Sequence, residues 1–124
     1  MKEKIATSNA PAAIGPYSQA IITESLIFCS GQLPIDPATG TMPEGIKAQT
    51  AQSLANVRAI LAEQGLDINN VVKTTVLLAD MSLFADMNEV YGETFSQPFP
   101  ARSAFAVKAL PMGALVEIEV IATR

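Results

Sequence analysis

Histidine is absent from the sequence, and cysteine occurs once, at Cys29. Without imidazole, the usual zinc ligand sets, Ser-His and Cys-His nucleophile pairs and histidine acid/base catalysis are all excluded. Any chemistry must come from carboxylates, Tyr, Lys, Arg, hydroxyls or the backbone. One cysteine permits no intramolecular disulfide and fits a reducing compartment. Inside the run "LIFCS" its default role is that of a small core side chain. Charge is also sparse: charged residues are 16% of the chain against 49% apolar, and arginine occurs only at Arg58, Arg102 and Arg124. This composition argues against disorder and leaves few charges to cover a surface, so part of that surface is expected to be hidden in an oligomer. A net charge of −4 with no basic run removes the field that draws proteins to phosphate backbones or anionic lipid. No stretch approaches the roughly eighteen apolar residues of a membrane span, and "MKEKIATSNAP" has no apolar leader core. Phosphate-loop patterns are missing as well, so nucleotide chemistry finds no support. The expectation is a soluble, cytoplasmic protein without nucleic-acid or membrane partners.

What is present reads as one continuous domain of 124 residues, long enough to bury a core without staples. "GPYSQA" is turn chemistry. Ala20 to Thr23 and Ser25 to Ser30 then form two short β-like runs that meet as a hairpin. "PIDPATGTMPEG" is a polar surface loop. From Ile46 to Gln64, helix formers carry Ile46, Thr50, Leu54, Val57 and Leu61 at helical spacing, with Gly65 placed to terminate. Val71 to Leu78 is β-branched and reads as a strand with both faces at least partly covered. Ser82 can cap a second helix with Leu83 or Phe84, Met87, Tyr91 and Phe95 on its apolar side, ending before Pro98. Ser103 to Ala109 and Leu115 to Ala122 are strand-like, and the intervening "LPMG" predicts that they close as a hairpin. The order gives an α+β domain with two helices over one face of a largely antiparallel or mixed sheet.

In "LVEIEVIA" strand alternation puts Val116, Ile118, Val120 and Ala122 on a core side, and Leu115, Glu117, Glu119 and Ile121 on the other. The second set suits either a solvated face or one that meets a neighbouring subunit beside a polar site. Arg102, after the stiff "PFP", is either a solvated strand-edge charge or a guanidinium that clamps a carboxylate through paired hydrogen bonds. Either glutamate can orient and deprotonate a water if it shares a pocket with Arg102. Tyr17 is a packed loop aromatic or a phenol aimed into a site. Gly31 ends a strand as a plain bulge or as a place where a ligand approaches the backbone.

The stretches "AIGPYSQA", "FCSGQLPIDPATG", "QTAQSLANVRAIL", "VVKTTVLLADMSLFADMNEVY", "FPARSAFAV" and "LPMGALVEIEVIA" together resemble the RidA/YjgF family of enamine/imine deaminases over essentially the whole chain. The resemblance implies a chorismate-mutase-like fold: a six-stranded sheet with two helices on one face. It also implies a homotrimer whose sheets line a central barrel, with active sites in clefts between subunits. Position by position, Arg102 matches the residue that binds the substrate carboxylate, and Glu117 the one that positions the hydrolytic water. Tyr17, Ser30, Gly31, Asn88 and the backbone of Ala104 match the remaining pocket positions. The sequence departs from many members at Ala104, where they carry Cys, and the segment between Asn88 and Arg102 is shorter than in some. The implied reaction is hydrolysis of 2-aminoacrylate and related 2-imino acids to 2-keto acids and ammonia, with no metal or organic cofactor. The alternatives are a non-catalytic trimer that binds 2-keto acids or other small metabolites, and a protein-binding trimer. RNA cleavage, also proposed within the family, is physically unattractive for an acidic chain without histidine.

Overall fold

In a computed structural model that describes residues 1–124, eight main elements follow one another. They are β1 (Glu3–Ile5), β2 (Ala20–Ile22), β3 (Leu26–Gln32), α1 (Ile46–Ala62), β4 (Val71–Leu78), α2 (Phe84–Thr94), β5 (Ala101–Ala106) and β6 (Val116–Thr123). The strands form one six-stranded sheet in the order β1-β2-β3-β6-β4-β5. All neighbours are antiparallel except β4 and β5, which run parallel. No helix is long and apolar enough to cross a membrane.

Helix α1 ends as its glycine predicts. Gly65 takes φ +69, and the amides of Leu66 and Gly65 close back onto the carbonyls of Leu61 and Ala62 at 3.1 and 3.0 Å. Its apolar stripe Leu54, Val57, Ile60 and Leu61 is buried with Met87, Tyr91 and Phe95 against the sheet residues Val76, Leu78, Val116, Ile118, Val120 and Ala122. Each such large side chain contributes about 1.5–3 kcal/mol when fully buried. The opposite sheet face has no helix: Phe28, Phe105 and Val72 remain 44–47% exposed.

The structure corrects two expectations and adds one strand. The last two strands do not form a hairpin, because β4 lies between them and pairs with both. Parallel strands need a crossover, and α2 supplies it as the middle of a β4-α2-β5 unit. "LPMG" is instead a single 3-10 turn, Pro111–Gly113, on the way to a non-adjacent strand. Ser82 is not the cap of the second helix. Asp80 accepts the amide of Ser82 at 2.8 Å and opens a 3-10 turn, Met81–Leu83, that leads into α2 at Phe84. Strand β1 adds a short edge beside β2.

Candidate active site

Arg102 sits within β5, at the free edge of the sheet. It is in register with Thr74, which is fully buried on the helix-covered face, and paired residues of parallel strands share a face. Its side chain therefore turns toward α2. There Nη1 donates to Asn88 Oδ1 at 2.7 Å, while the guanidinium carbon lies 4.7 Å from the Tyr91 ring centroid and 5.5 Å from that of Phe84. Tyr91 is itself fixed: its hydroxyl and that of Thr74 are 2.7 Å apart, and its ring packs 4.5 Å from Phe95. Burial pushes the Tyr91 phenol above its usual range, against the opposing pull of Thr74 and Arg102, so it stays neutral beside the cation. The single ion pair of the chain joins Lys47 to Glu89. Arg102 thus has an aromatic platform and an amide partner but no carboxylate. A cavity of about 290 Å³ opens beside it, lined by Asn88, Tyr91, Gly92, Phe99, Pro100 and Arg102.

The backbone next to Arg102 is also available. Val107 donates its amide to the Leu78 carbonyl at 2.9 Å. Alternation along β5 then turns the amides and carbonyls of Phe105 and Ser103 toward β4 and those of Ala104 and Arg102 outward. Ala104 presents a free peptide group at the sheet edge, consistent with a role that does not need its side chain.

Glu117 occupies the other face. It is in register with Leu77, on the open side of the sheet, between Val116 and Ile118, which are both 0% exposed on the helix side. The β3–β6 register slips between Cys29 and Gln32, so Ser30 and Gly31 form an irregular stretch opposite Glu119, and Gly31 lies against the Glu117 side chain. A Cβ at Gly31 would lie 2.6 Å from Glu117 Oε2, a separation that only glycine allows without displacing the carboxylate. Burial, and secondarily the charge of Glu119, raises the Glu117 pKa above the ordinary carboxylate range. That makes it a better proton acceptor than a solvated glutamate. Glu119, two residues along the same face, is exposed.

Tyr17 and Ser30 belong to this second cluster. The Ser30 hydroxyl donates to the Ser18 carbonyl at 2.6 Å and the Ser30 amide to the Gln19 carbonyl at 2.9 Å, tying the end of β3 to the Tyr17 loop. Tyr17 packs its ring beside Gly15 and is 51% exposed. Tyr17 and Gly31 both line an apolar cleft of about 500 Å³.

The seven residues therefore form two groups: Arg102, Asn88 and Ala104 on one side, and Tyr17, Ser30, Gly31 and Glu117 on the other. One chain does not bring the groups together, since Arg102 and Glu117 project from opposite faces of the sheet. Three buried amides that sequence reading did not single out hold the loops of the second group. Gln19 bonds Thr7, Ala10 and Pro11; Gln49 accepts the amide of Leu115; Asn56 donates to the carbonyls of Leu33 and Ile35. The available signal was the polar Gln49 and Asn56 at buried-stripe spacing in α1. No three His, Cys, Asp or Glu residues converge on a point that could hold a metal. Cys29 is a core side chain whose thiol is pushed up to about 12 by burial and by Glu119.

A six-stranded α+β sheet with two helices on one face defines a fold class that is well represented among solved structures. A Yersinia pestis protein of the conserved Rid family, YyfA, superposes with a TM-score of 0.96 over all of both chains at 47% identity. Residues 7–124 match the family model described as Endoribonuclease L-PSP, and the chain belongs to this family, the RidA/YjgF family. The RutC family protein y4sK of Sinorhizobium fredii is 54% identical over 98% of this chain and 97% of its own length. The 2-iminobutanoate/2-iminopropanoate deaminase of Bos taurus is 50% identical over 100% of this chain and 91% of its own.

Proposed function

We propose that the protein hydrolyses 2-imino acids and their enamine tautomers, 2-aminoacrylate among them, to 2-keto acids and ammonium, without metal or organic cofactor. It acts as a homotrimer whose active sites lie between subunits. The observation that carries this reading is the split of the site: an unpaired arginine on one sheet face and a poised glutamate on the other. Two unlike half-sites are joined by a heterologous contact, and heterologous contacts that close make rings. The free β5 edge and the exposed Phe28 and Phe105 give such a contact its surface. The deaminase relative supports the substrate class.

In this reading Arg102 and Asn88 of one subunit, with the outward peptide group of Ala104, hold the substrate carboxylate. Tyr17, Ser30, Gly31 and Glu117 of the next subunit frame the reacting carbon. A protonated imine is already electrophilic, so the site mainly has to orient it, and orientation contributes about 7 to 11 kcal/mol at best. The Glu117 carboxylate takes a proton from water as the oxygen bonds to the imine carbon, giving a carbinolamine. That proton passes to nitrogen, the C–N bond breaks, and the hydroxyl proton leaves with ammonia as ammonium while the C=O forms. Water and iminium thus yield keto acid and ammonium in balance.

The test is keto acid release from freshly generated 2-iminobutanoate or 2-aminoacrylate. The wild type should exceed the spontaneous rate and a folded Arg102→Ala variant should not. Equal rates for the two would refute the activity, and keto acid binding without turnover would identify a metabolite-binding protein instead.

A further inference from the structure

We propose that the apolar cleft beside Gly31 is the subsite for the substrate side chain, and that Met112 at its lip determines which side chains are accepted. The proposal rests on the deaminase reading and adds to it a selectivity and a residue. The cleft holds about 500 Å³, more than a methyl or ethyl group fills. Its walls include Ile14, Leu33, Ile35, Pro37 and Pro111, and none of its lining residues is charged. It adjoins the reacting position through Gly31, whose missing side chain lets Glu117 Oε2 pack against the backbone.

Two walls are fixed. Asn56 donates to the carbonyls of Leu33 and Ile35 at 3.0 and 2.9 Å, and Gln49 accepts the amide of Leu115 at 2.8 Å, just after the Pro111–Gly113 turn. Met112 stands out between these anchors. It is the one non-glycine residue with positive φ, at 59, and it is followed by Gly113 at φ 70. A left-handed conformation is unfavourable for a side chain of this size and is kept where surrounding structure imposes it. Here it leaves an unbranched thioether, 61% exposed, at the mouth of the cleft. Methionine adapts its shape to ligands of different length.

An uncharged cleft rewards each methylene it covers and offers no partner to a charged end group. Uncharged, linear side chains of several carbons are therefore preferred, and acidic ones are rejected. Four imines made in situ from amino acids test this: 2-iminopropanoate, 2-iminobutanoate, 2-iminohexanoate and 2-iminosuccinate. For the wild type, kcat/KM should be about tenfold or more higher for 2-iminohexanoate than for either 2-iminopropanoate or 2-iminosuccinate. Met112→Gly, which suits the left-handed backbone, should lower the hexanoate-to-propanoate ratio about fivefold. Met112→Lys should raise the succinate-to-hexanoate ratio about tenfold. A wild type that treats the four imines alike, or ratios that both variants leave in place, overturns the assignment, as would be found if a second copy filled the cleft. Absence of turnover on all four would instead refute the deaminase reading. Calorimetry with 2-ketohexanoate and oxaloacetate then reads the cleft alone: preference for the former, diminished in Met112→Gly, upholds the subsite, and equal or absent binding overturns it.

Discussion

The two faces of the sheet are built for different purposes. The helix-covered face is closed by apolar packing, and Arg102, half-buried, lies at its edge where α2 gives it Tyr91, Phe84 and Asn88. The open face keeps Phe28 and Phe105 in solvent and carries Glu117 with a raised pKa. A cation is thus held rigidly without a counter-ion, and a carboxylate is held at some electrostatic disadvantage. Each half is incomplete, and the lack in each is of the kind that the other, or a substrate, supplies.

Removing the functional group of either half should give the largest effect and should distinguish the halves. Arg102→Ala loses a two-bond clamp worth about 1.5 to 3 kcal/mol per bond, so kcat/KM should fall by about 10²- to 10⁴-fold, with KM strongly raised. Glu117→Gln should lower kcat by a similar factor with KM little changed, measured on the same imine. Loss confined to KM in both variants would remove the distinction between clamp and base.

Gly31→Ala comes next. Its Cβ would displace the Glu117 carboxylate, and a misplacement near 1 Å costs about 10²-fold in rate. Because the displaced atoms end a flexible side chain, the melting temperature should hardly move. A large fall in Tm with intact kcat would mean that Gly31 serves the fold and not Glu117.

On the closed face Tyr91 separates platform from hydroxyl. Tyr91→Leu should raise KM about tenfold through loss of the ring under Arg102. Tyr91→Phe keeps the ring but leaves the Thr74 hydroxyl buried without its partner, so it should cost about 1–2 kcal/mol of stability with a smaller change in KM. Equal KM values for the two variants would exclude the platform role.

The smallest effect is on the open face and depends on pH. With its folded-state pKa raised, Glu117 favours the folded protein while protonated, and that advantage is lost as pH rises through the folded value. Glu117→Gln should therefore show a slightly higher Tm than the wild type at neutral pH. The difference should close below the ordinary glutamate pKa of about 4.3. A variant less stable at neutral pH would contradict the raised pKa.

Much of this architecture is legible in the sequence because it is local. The α1 stripe, the Gly65 stop, β4 from Val71 to Leu78 and the buried side of β6 follow from periodicity and propensity. The hairpin reading of the last two strands failed because "LPMG" reports only a turn, whereas the insertion of β4 between β5 and β6 is a long-range choice. The same nonlocality hid the split of the site. Alternation along β6 already puts Glu117 on the non-core side, but the face that Arg102 takes depends on the register of β5 against β4, and a shift of one residue would exchange it. Asn88 beside Arg102 likewise required the crossover that lays α2 along β5.

In the proposed assembly a complete site takes Arg102 from one subunit and Glu117 from another. The most direct measurement mixes two inactive proteins, Arg102→Ala and Glu117→Gln, by unfolding and refolding them together at equal concentration, and follows keto acid release. If the halves come from different subunits, random mixing restores about one site in four, and activity should reach about a quarter of the wild type refolded alone. Activity no greater than the sum of the two parents, in verified mixed assemblies, would place both residues in one subunit's site and refute the shared site.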